Sequence, residues 1–366
     1  MIALVVGTRP QIIKSAPLVH EFDRHGSIDF QIIHTGQHYD YTMSKIFFDD
    51  MRIPEPVTCL GVGSGSHVYQ IAEIILRLEG ILSKLSPELV IVPGDTNSAL
   101  ASALASVKLN IPVAHIEAGP RCYDMSLPEE VNRRIIDHIS RLLFAPSKNC
   151  VSNLIQENVM GKIFSCGNIL YDAYLSQIDN AQKSGILDGL DLKEREYAVM
   201  TIHRAQNVDD ETILTRIIRA TMEGLDGYDL KVVFPAHPRT RTKLSKEKNV
   251  MLTEPVSHRD MLKLILEARL VLTDSGGVQQ EAFWSKVPCI TFRDSTEWVE
   301  TVETGGNVLV SADPKRIKEA IDLMLLEEIE DKLSKVKNPY GDGSASKRIL
   351  EKIINEFELN LPTKWL

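Results

Sequence analysis

The stretch LTDSGGVQQEAF, residues 272–283, reads as an apolar strand that ends in a turn and opens directly into a helix. Ser275, Gly276 and Gly277 fall at the helix start, where the first backbone N–H groups have no intrahelical acceptor. Such a start attracts anions, and glycine lets a phosphate come close to the backbone. Glu281, about one turn further on, faces the same opening and could accept hydrogen bonds from the vicinal hydroxyls of a ribose. An ordinary glycine-bearing turn has the same local pattern, so the rest of the chain decides between them.

Working outward, strand-like runs alternate with helical patterns throughout. ALVVG, QIIHTG, ELVIVPG, PVAHIEA and LLFAPS fill the first half, and YAVMTIH, LKVVFPAH, RLVLTDS, PCITF and NVLVS the second. Nearly continuous apolar runs are what parallel strands covered on both faces require. Between them lie helices such as 67–84, where Val68, Ile71, Ile75, Leu78 and Leu82 are expected to form one buried stripe. The fold class is therefore α/β, with two doubly wound Rossmann-like domains facing a cleft. A chain of 366 residues that is 43% hydrophobic suits two cores. The polar segment QKSGILDGLDLKERE marks the boundary, dividing the chain into 1–167 and 168–343, with a last helix from about Ser344 to Glu358.

A formal charge of -9 argues against nucleic acid or an anionic membrane surface as partner. The opening MIALVVGTRPQIIK meets Gly7 and Arg9 too early for a signal peptide or a span, so a cytoplasmic protein is expected. The five cysteines are odd in number and never spaced CxxC, which predicts buried free thiols rather than disulfides or a zinc site.

Ligands of open parallel sheets sit beyond the carboxyl ends of the strands. In the second half those ends carry His203 and Arg204 in MTIHRAQN, then His237, Arg239 and Arg241 in FPAHPRTR. Together with the glycine-bearing helix start they favour a nucleotide diphosphate. In the first half the ends carry acids: Asp95 in VPGDT, Glu117 in AHIEAG, and Glu129 and Glu130 in SLPEEVNRR, close to Arg133. Carboxylates facing a diphosphate would repel it unless their proton chemistry is needed. The first strand closes in GTRP with Arg9, and Lys14 follows one turn into the helix, both able to reach phosphates. GTRP is not GxGxxG, which disfavours a nicotinamide cofactor. GVGSGSH at 61–67 has no apolar strand running into it and reads as a loop. His115 and Glu117 spell HxE, yet no CxxC follows, so a zinc deaminase is rejected.

These residues resemble the non-hydrolysing UDP-N-acetylglucosamine 2-epimerases, of glycosyltransferase-B architecture. GTRP, TGQH, GDT, EAG, PEEVNR, HRAQN, HPRT, TDSGGVQ and NPYGDG occur in order over nearly the whole chain. The resemblance implies Asp95, Glu117 and Glu129 as acid/base carboxylates, His203 at the phosphates, and Arg9, Lys14 and Arg133 among the sugar-nucleotide contacts. It also implies that Ser275, Gly276 and Gly277 hold the diphosphate and Glu281 the ribose. The final helix, 344–366, would cross back onto the first domain. The family's habit of dimerising and of activation by substrate would fall on Gln37, His38 and His237. Two departures stand out: Trp298 in TEWVE replaces the Arg of the common TERPE, and Val256 and Met261 replace aromatic and amide contacts. TEWVE is similar to archaeal members and to 2-epimerases of UDP-2,3-diacetamido-glucuronic acid.

The C2 hydrogen of such a sugar has no adjacent carbonyl to acidify it. Loss of UDP from C1 makes it removable, so the expected course is elimination of UDP to a 2-acetamidoglucal, then re-addition with the proton delivered to the other face. This chemistry needs no metal or organic cofactor. A hydrolysing epimerase releasing UDP and N-acetylmannosamine, a glycosyltransferase, and a catalytically silent nucleotide-sugar sensor are the alternatives.

Overall fold

The computed structural model describes residues 1–37, 47–236 and 250–357. The chain divides into two compact units, Met1–Leu175 joined by the segment from Pro339 onward, and Ser176–Asn338.

The first unit holds β1 (Ile2–Val6), β2 (Phe30–His34), β3 (Thr58–Cys59), β4 (Leu89–Pro93), β5 (Val113–Ile116), β6 (Leu142–Ala145) and β7 (Lys162–Ser165). All pair in parallel, in the order β3-β2-β1-β4-β5-β6-β7. The second unit holds β8 (Tyr197–Thr201), β9 (Lys231–Pro235), β10 (Val250–Thr253), β11 (Leu270–Thr273), β12 (Cys289–Thr291) and β13 (Asn307–Leu309). Their order, β10-β9-β8-β11-β12-β13, repeats the first pattern, again all parallel. Each sheet reverses its winding once, between β1 and β4 and between β8 and β11. A doubly wound sheet opens a crevice at that switch point.

The longer helices used below are α1 (Arg9–His25), α2 (His67–Leu85), α3 (Asn97–Lys108), α4 (Pro128–Ile139), α5 (Lys148–Gln156), α6 (Ile169–Gln182), α7 (Glu211–Gly224), α8 (His258–Leu266), α9 (Gly276–Trp284), α10 (Pro314–Met324) and α11 (Ala345–Phe357). β1, β4, β5, β6, β11 and β12 are buried along their whole length because helices cover both faces of each sheet. Val90, Val92 and Val113 pack with Ile74, Leu78 and Leu82 of α2 and with the alanines of α3 on one side of the first sheet. In the second unit, Met200, Val232, Leu270 and Leu272 pack with Leu214, Ile217 and Ile218 of α7 and with Ile317 and Ile321 of α10.

The buried stripe of α2 differs from the expected one. Ile74, Leu78 and Leu82 are fully buried, Ile71 and Ile75 flank them half-buried, and Val68 is 79% exposed. Val68 belongs to the first turn, where Gln70 turns inward and its side-chain amide donates to the carbonyls of Gln37 and Gly63. A hydrogen-bonding requirement at the helix start thus sets its rotation. Four of the cysteines are buried thiols as expected, and Cys59 on the edge strand β3 is exposed.

The last helix returns to the first unit. Its first-turn amides are capped from another helix: Asp172 of α6 accepts hydrogen bonds from the Ala345 and Ser346 N–H groups at 3.1 and 2.8 Å and from the Ser346 hydroxyl at 2.7 Å. α11 then packs on α1, and at its far end the Arg141 guanidinium lies over the Phe357 ring. Among the described residues, no helix is long and apolar enough to cross a membrane.

Candidate active site

In the first unit the switch point gathers Lys14, Asp95, Glu117 and Arg133. β4 ends at Pro93, and Gly94, in the left-handed region at φ 70°, turns the chain so that Asp95 emerges above the sheet. A Cβ at Gly94 would stand at an ordinary contact distance, 3.6 Å, from Lys14 Nζ, so the left-handed φ and not lack of space calls for glycine here. The next strand ends the same way, at Glu117, whose φ of 70° is a strained value for a residue with a side chain. Such a conformation costs of order 1–3 kcal/mol and persists where the surroundings impose it. Here the Glu117 and Ala118 amides both donate to the Phe144 carbonyl of β6 at 3.1 Å.

Lys14, one turn into α1, donates to Glu117 Oε1 at 2.7 Å. Glu117 Oε2 is buried with no hydrogen-bond partner. Burial pushes the Glu117 carboxyl above the usual carboxylate range, with Lys14 and Arg133 pulling it down and the neighbouring Asp95 adding to the rise. Asp95 is held differently: Arg133 of α4 donates to its Oδ2 at 2.6 Å, and Asn132 donates to its carbonyl at 2.9 Å. The two carboxylates are therefore electrostatic neighbours with unlike surroundings, one facing a guanidinium and one desolvated with a free oxygen.

Glu129 lies half-buried on the first turn of α4, one turn ahead of Arg133, whose Nε donates to its carbonyl at 3.2 Å. Its neighbour Glu130 is wholly buried and accepts from the Cys122 and Tyr123 amides and from Arg134, so it braces the 122–123 loop. Arg9 opens α1, half-buried, with its guanidinium over the Phe47 ring. Gln37 joins this end of the sheet by accepting from the Ser98 amide and hydroxyl at 2.9 and 2.6 Å at the start of α3. His38 and His237 lie outside the described residues.

In the second unit the switch point is built around an acid that sequence reasoning passed over. Asp274, wholly buried between β11 and Ser275, accepts from the backbone amides of His203 and Arg204 and from the Asn207 side chain. His203 Nδ1 lies 3.0 Å from its Oδ1. Burial alone would raise the Asp274 carboxyl, but the bonds from His203, Asn207 and Arg204 outweigh it and hold the group below the usual range. The exposed His203 ring is thereby fixed beside the start of α9.

That start matches the reading of LTDSGG. Ser275 caps the helix by accepting from the Val278 amide, and Gly276 and Gly277 form its first turn. A Cβ at Gly277 would meet only Ser275 Oγ, at 4.0 Å, so the helix start is open there. A Cβ at Gly276 would fall 2.7 Å from Glu297 Oε1 and 3.1 Å from Trp298 Nε1, which places the departure at Trp298 against the same helix start. Glu281, one turn in, is buried, and its Oε1 lies 3.0 Å from His258 Nε2 of α8. His258 also escaped the sequence reading, since nothing local ties position 258 to 281. Val256 and Met261 are half-buried and pack against the apolar core of this unit.

One parallel sheet carries unlike carboxylates and cations at its switch point, and the other carries an open helix start and a fixed histidine, which defines an α/β protein of two doubly wound sheets. The chain belongs to the UDP-N-acetylglucosamine 2-epimerase family, whose model matches residues 20–354. It is similar to a UDP-N-acetylglucosamine 2-epimerase homolog of Methanococcus maripaludis, with 44% identity over 97% of this chain and 99% of that one. It is similar as well to the UDP-2,3-diacetamido-2,3-dideoxy-D-glucuronate 2-epimerase of Pseudomonas aeruginosa, with 40% identity over 96% and 98% of the two chains. Among solved structures, the Methanocaldococcus jannaschii UDP-GlcNAc 2-epimerase in complex with UDP-GlcNAc and UDP shares 40% identity. It superposes with a TM-score of 0.89 over 97% of this chain and 99% of that one.

Proposed function

We propose that this protein interconverts UDP-N-acetylglucosamine and UDP-N-acetylmannosamine by eliminating UDP and adding it back with C2 inverted. The observation that carries the proposal is the state of Glu117: desolvated, raised in pKa, tied to Lys14 through one oxygen, and presenting the other without a partner. An acid kept this way beside the Arg133-paired Asp95 suits proton transfer at a carbon, and Glu129 supplies a third carboxyl. The open start of α9 and His203 would bind and stabilise the departing diphosphate, and Glu281 would take the ribose. Arg9, Lys14 and Arg133 would complete the contacts with the nucleotide sugar.

A UDP-2,3-diacetamido-glucuronic acid substrate is the second reading, favoured by the P. aeruginosa relative. We further propose a cytoplasmic homodimer that its own substrate activates. Incubation with a panel of UDP-sugars followed by proton NMR tests the function. The new anomeric signal of UDP-N-acetylmannosamine, with UDP not accumulating, is expected; turnover of the diacetamido-glucuronate alone establishes the second reading, and free N-acetylmannosamine with stoichiometric UDP rules both out.

A further inference from the structure

We infer that His115 is a doubly protonated positioning residue that, with Asp137, fixes the Asp95 and Glu117 carboxylates relative to each other. The inference rests on the reading that these two carboxylates perform the proton transfers.

His115 sits on β5 and is completely buried. Its Nδ1 lies 2.7 Å from Asp137 Oδ1, and its Nε2 lies 2.9 Å from the Gly94 carbonyl oxygen. A carbonyl oxygen can only accept, and so can a carboxylate, which is how Asp137 is held: its Oδ2 accepts from the Arg121 guanidinium at 2.7 Å and from the Gly119 amide at 3.1 Å. Both ring nitrogens therefore donate, and the ring is an imidazolium. A neutral ring would set a lone pair against an oxygen at one end or the other, at a position that is completely buried.

The surrounding charges agree with that assignment. Asp137 Oδ2 accepts from Arg121 Nη2 at 2.7 Å, and Arg121 in turn binds Glu157 through Nε and Nη2. Two cations, His115 and Arg121, then balance two anions, Asp137 and Glu157. At the outer edge Arg134 lies 3.3 Å and His138 4.0 Å from Glu157.

What the ring holds is the two turns that deliver the carboxylates. The Gly94 peptide, one residue before Asp95, is gripped on both sides: its amide donates to the Ile116 carbonyl at 2.9 Å, and its carbonyl accepts from the imidazolium. The Glu117 turn is gripped from beyond, because Asp137 Oδ2 also accepts from the Gly119 amide at 3.1 Å. Gly119 has no space for a side chain, since a Cβ would lie 2.4 Å from the Cys150 carbonyl oxygen. One ion pair thus spans both left-handed turns, at 94 and at 117, and sets the separation of the groups that follow them. Displacements of an ångström between reacting groups reach about 10²-fold in rate.

The test is an NMR measurement on the full-length protein labelled with 15N-histidine, without substrate, together with kinetics of His115→Gln and Asp137→Asn. The expected spectrum contains one buried ring with two slowly exchanging N–H protons, assigned through its contacts with Gly94 and lost in His115→Gln. Both variants are expected to lower kcat by about 10²-fold while KM and UDP affinity stay within about threefold, because the phosphate-binding residues are untouched. A ring with a single N–H, or variants with wild-type kcat, or parallel loss of kcat and UDP affinity, would overturn the inference. If His115→Gln fails to fold, the wild-type ring spectrum decides alone. A wild-type protein that turns over no UDP-sugar refutes the functional reading instead, and leaves the ring measurement standing.

Discussion

Lys14 and Glu117 form an ion pair at 2.7 Å in which the lysine engages only one of the two carboxylate oxygens. The other oxygen is buried and unpartnered, and the residue carrying it sits at φ 70°. A buried polar atom without a partner and a strained backbone both cost stability, so the arrangement is one that folding alone would not select.

Replacing Glu117 by Gln is expected to lower turnover by about 10²–10⁴-fold and to stabilise the protein at neutral pH by about 0.5–2 kcal/mol. The sign follows from the raised pKa. The folded state holds the Glu117 proton more tightly than the unfolded chain, so stability is greatest below the ordinary glutamate range and declines as pH rises through the folded value. The amide removes that decline. Thermal melts of the two proteins at several pH values check this: the curves should converge toward low pH and separate toward neutrality, and a variant less stable than wild type at neutral pH contradicts it.

Asp274→Asn should weaken UDP binding and cost about 1–3 kcal/mol of stability, because the His203 and Arg204 amides and the Asn207 side chain lose a shared anionic acceptor. The Asp274 carboxyl is held below its ordinary range, so its contribution is present above the ordinary aspartate value and disappears as pH falls through the lowered one. Calorimetric titration with UDP and urea unfolding measure the two effects. Unchanged UDP affinity would detach the acid from the phosphate site.

Gly276→Ala tests the helix start directly. Its Cβ would stand 2.7 Å from Glu297 Oε1 and 3.1 Å from Trp298 Nε1, so one of them must shift. A stability loss of about 1–3 kcal/mol is expected together with weaker UDP binding, whereas Gly277→Ala, with open space around it, should affect binding and leave stability nearly unchanged. Equal melting temperatures for the two variants would contradict the packing on which this rests.

The strand, turn and helix in LTDSGGVQQEAF were legible because each signal is local: apolar Leu270–Thr273 ends β11, Ser275 caps, and two glycines open α9. Central strands announce themselves for the same reason, being apolar on both faces. β3, β7 and β10 left no such trace, since they lie at sheet edges and are largely half-buried or exposed, so nothing forces a continuous apolar run. For the candidate site, strand ends pointed to Asp95, Glu117 and His203, and the fold brings Lys14 to Glu117 and Arg133 to Asp95. Sequence could not say that Glu130, not Glu129, braces a loop, because adjacent positions in a first helical turn look alike until one of them is buried. Asp274, His258 and the His115–Asp137 pair were invisible for a different reason. Their meaning lies in partners 22 to 71 residues away, and only the folded chain supplies those distances.

The most direct test of the account is the reaction run in heavy water, with the sugar C2 position read by NMR and mass spectrometry. The account predicts that UDP-N-acetylmannosamine formed from UDP-N-acetylglucosamine carries one deuteron at C2. Conversion that keeps the original hydrogen at C2 would contradict it, because no solvent-exchanging carboxyl could then have handled that proton.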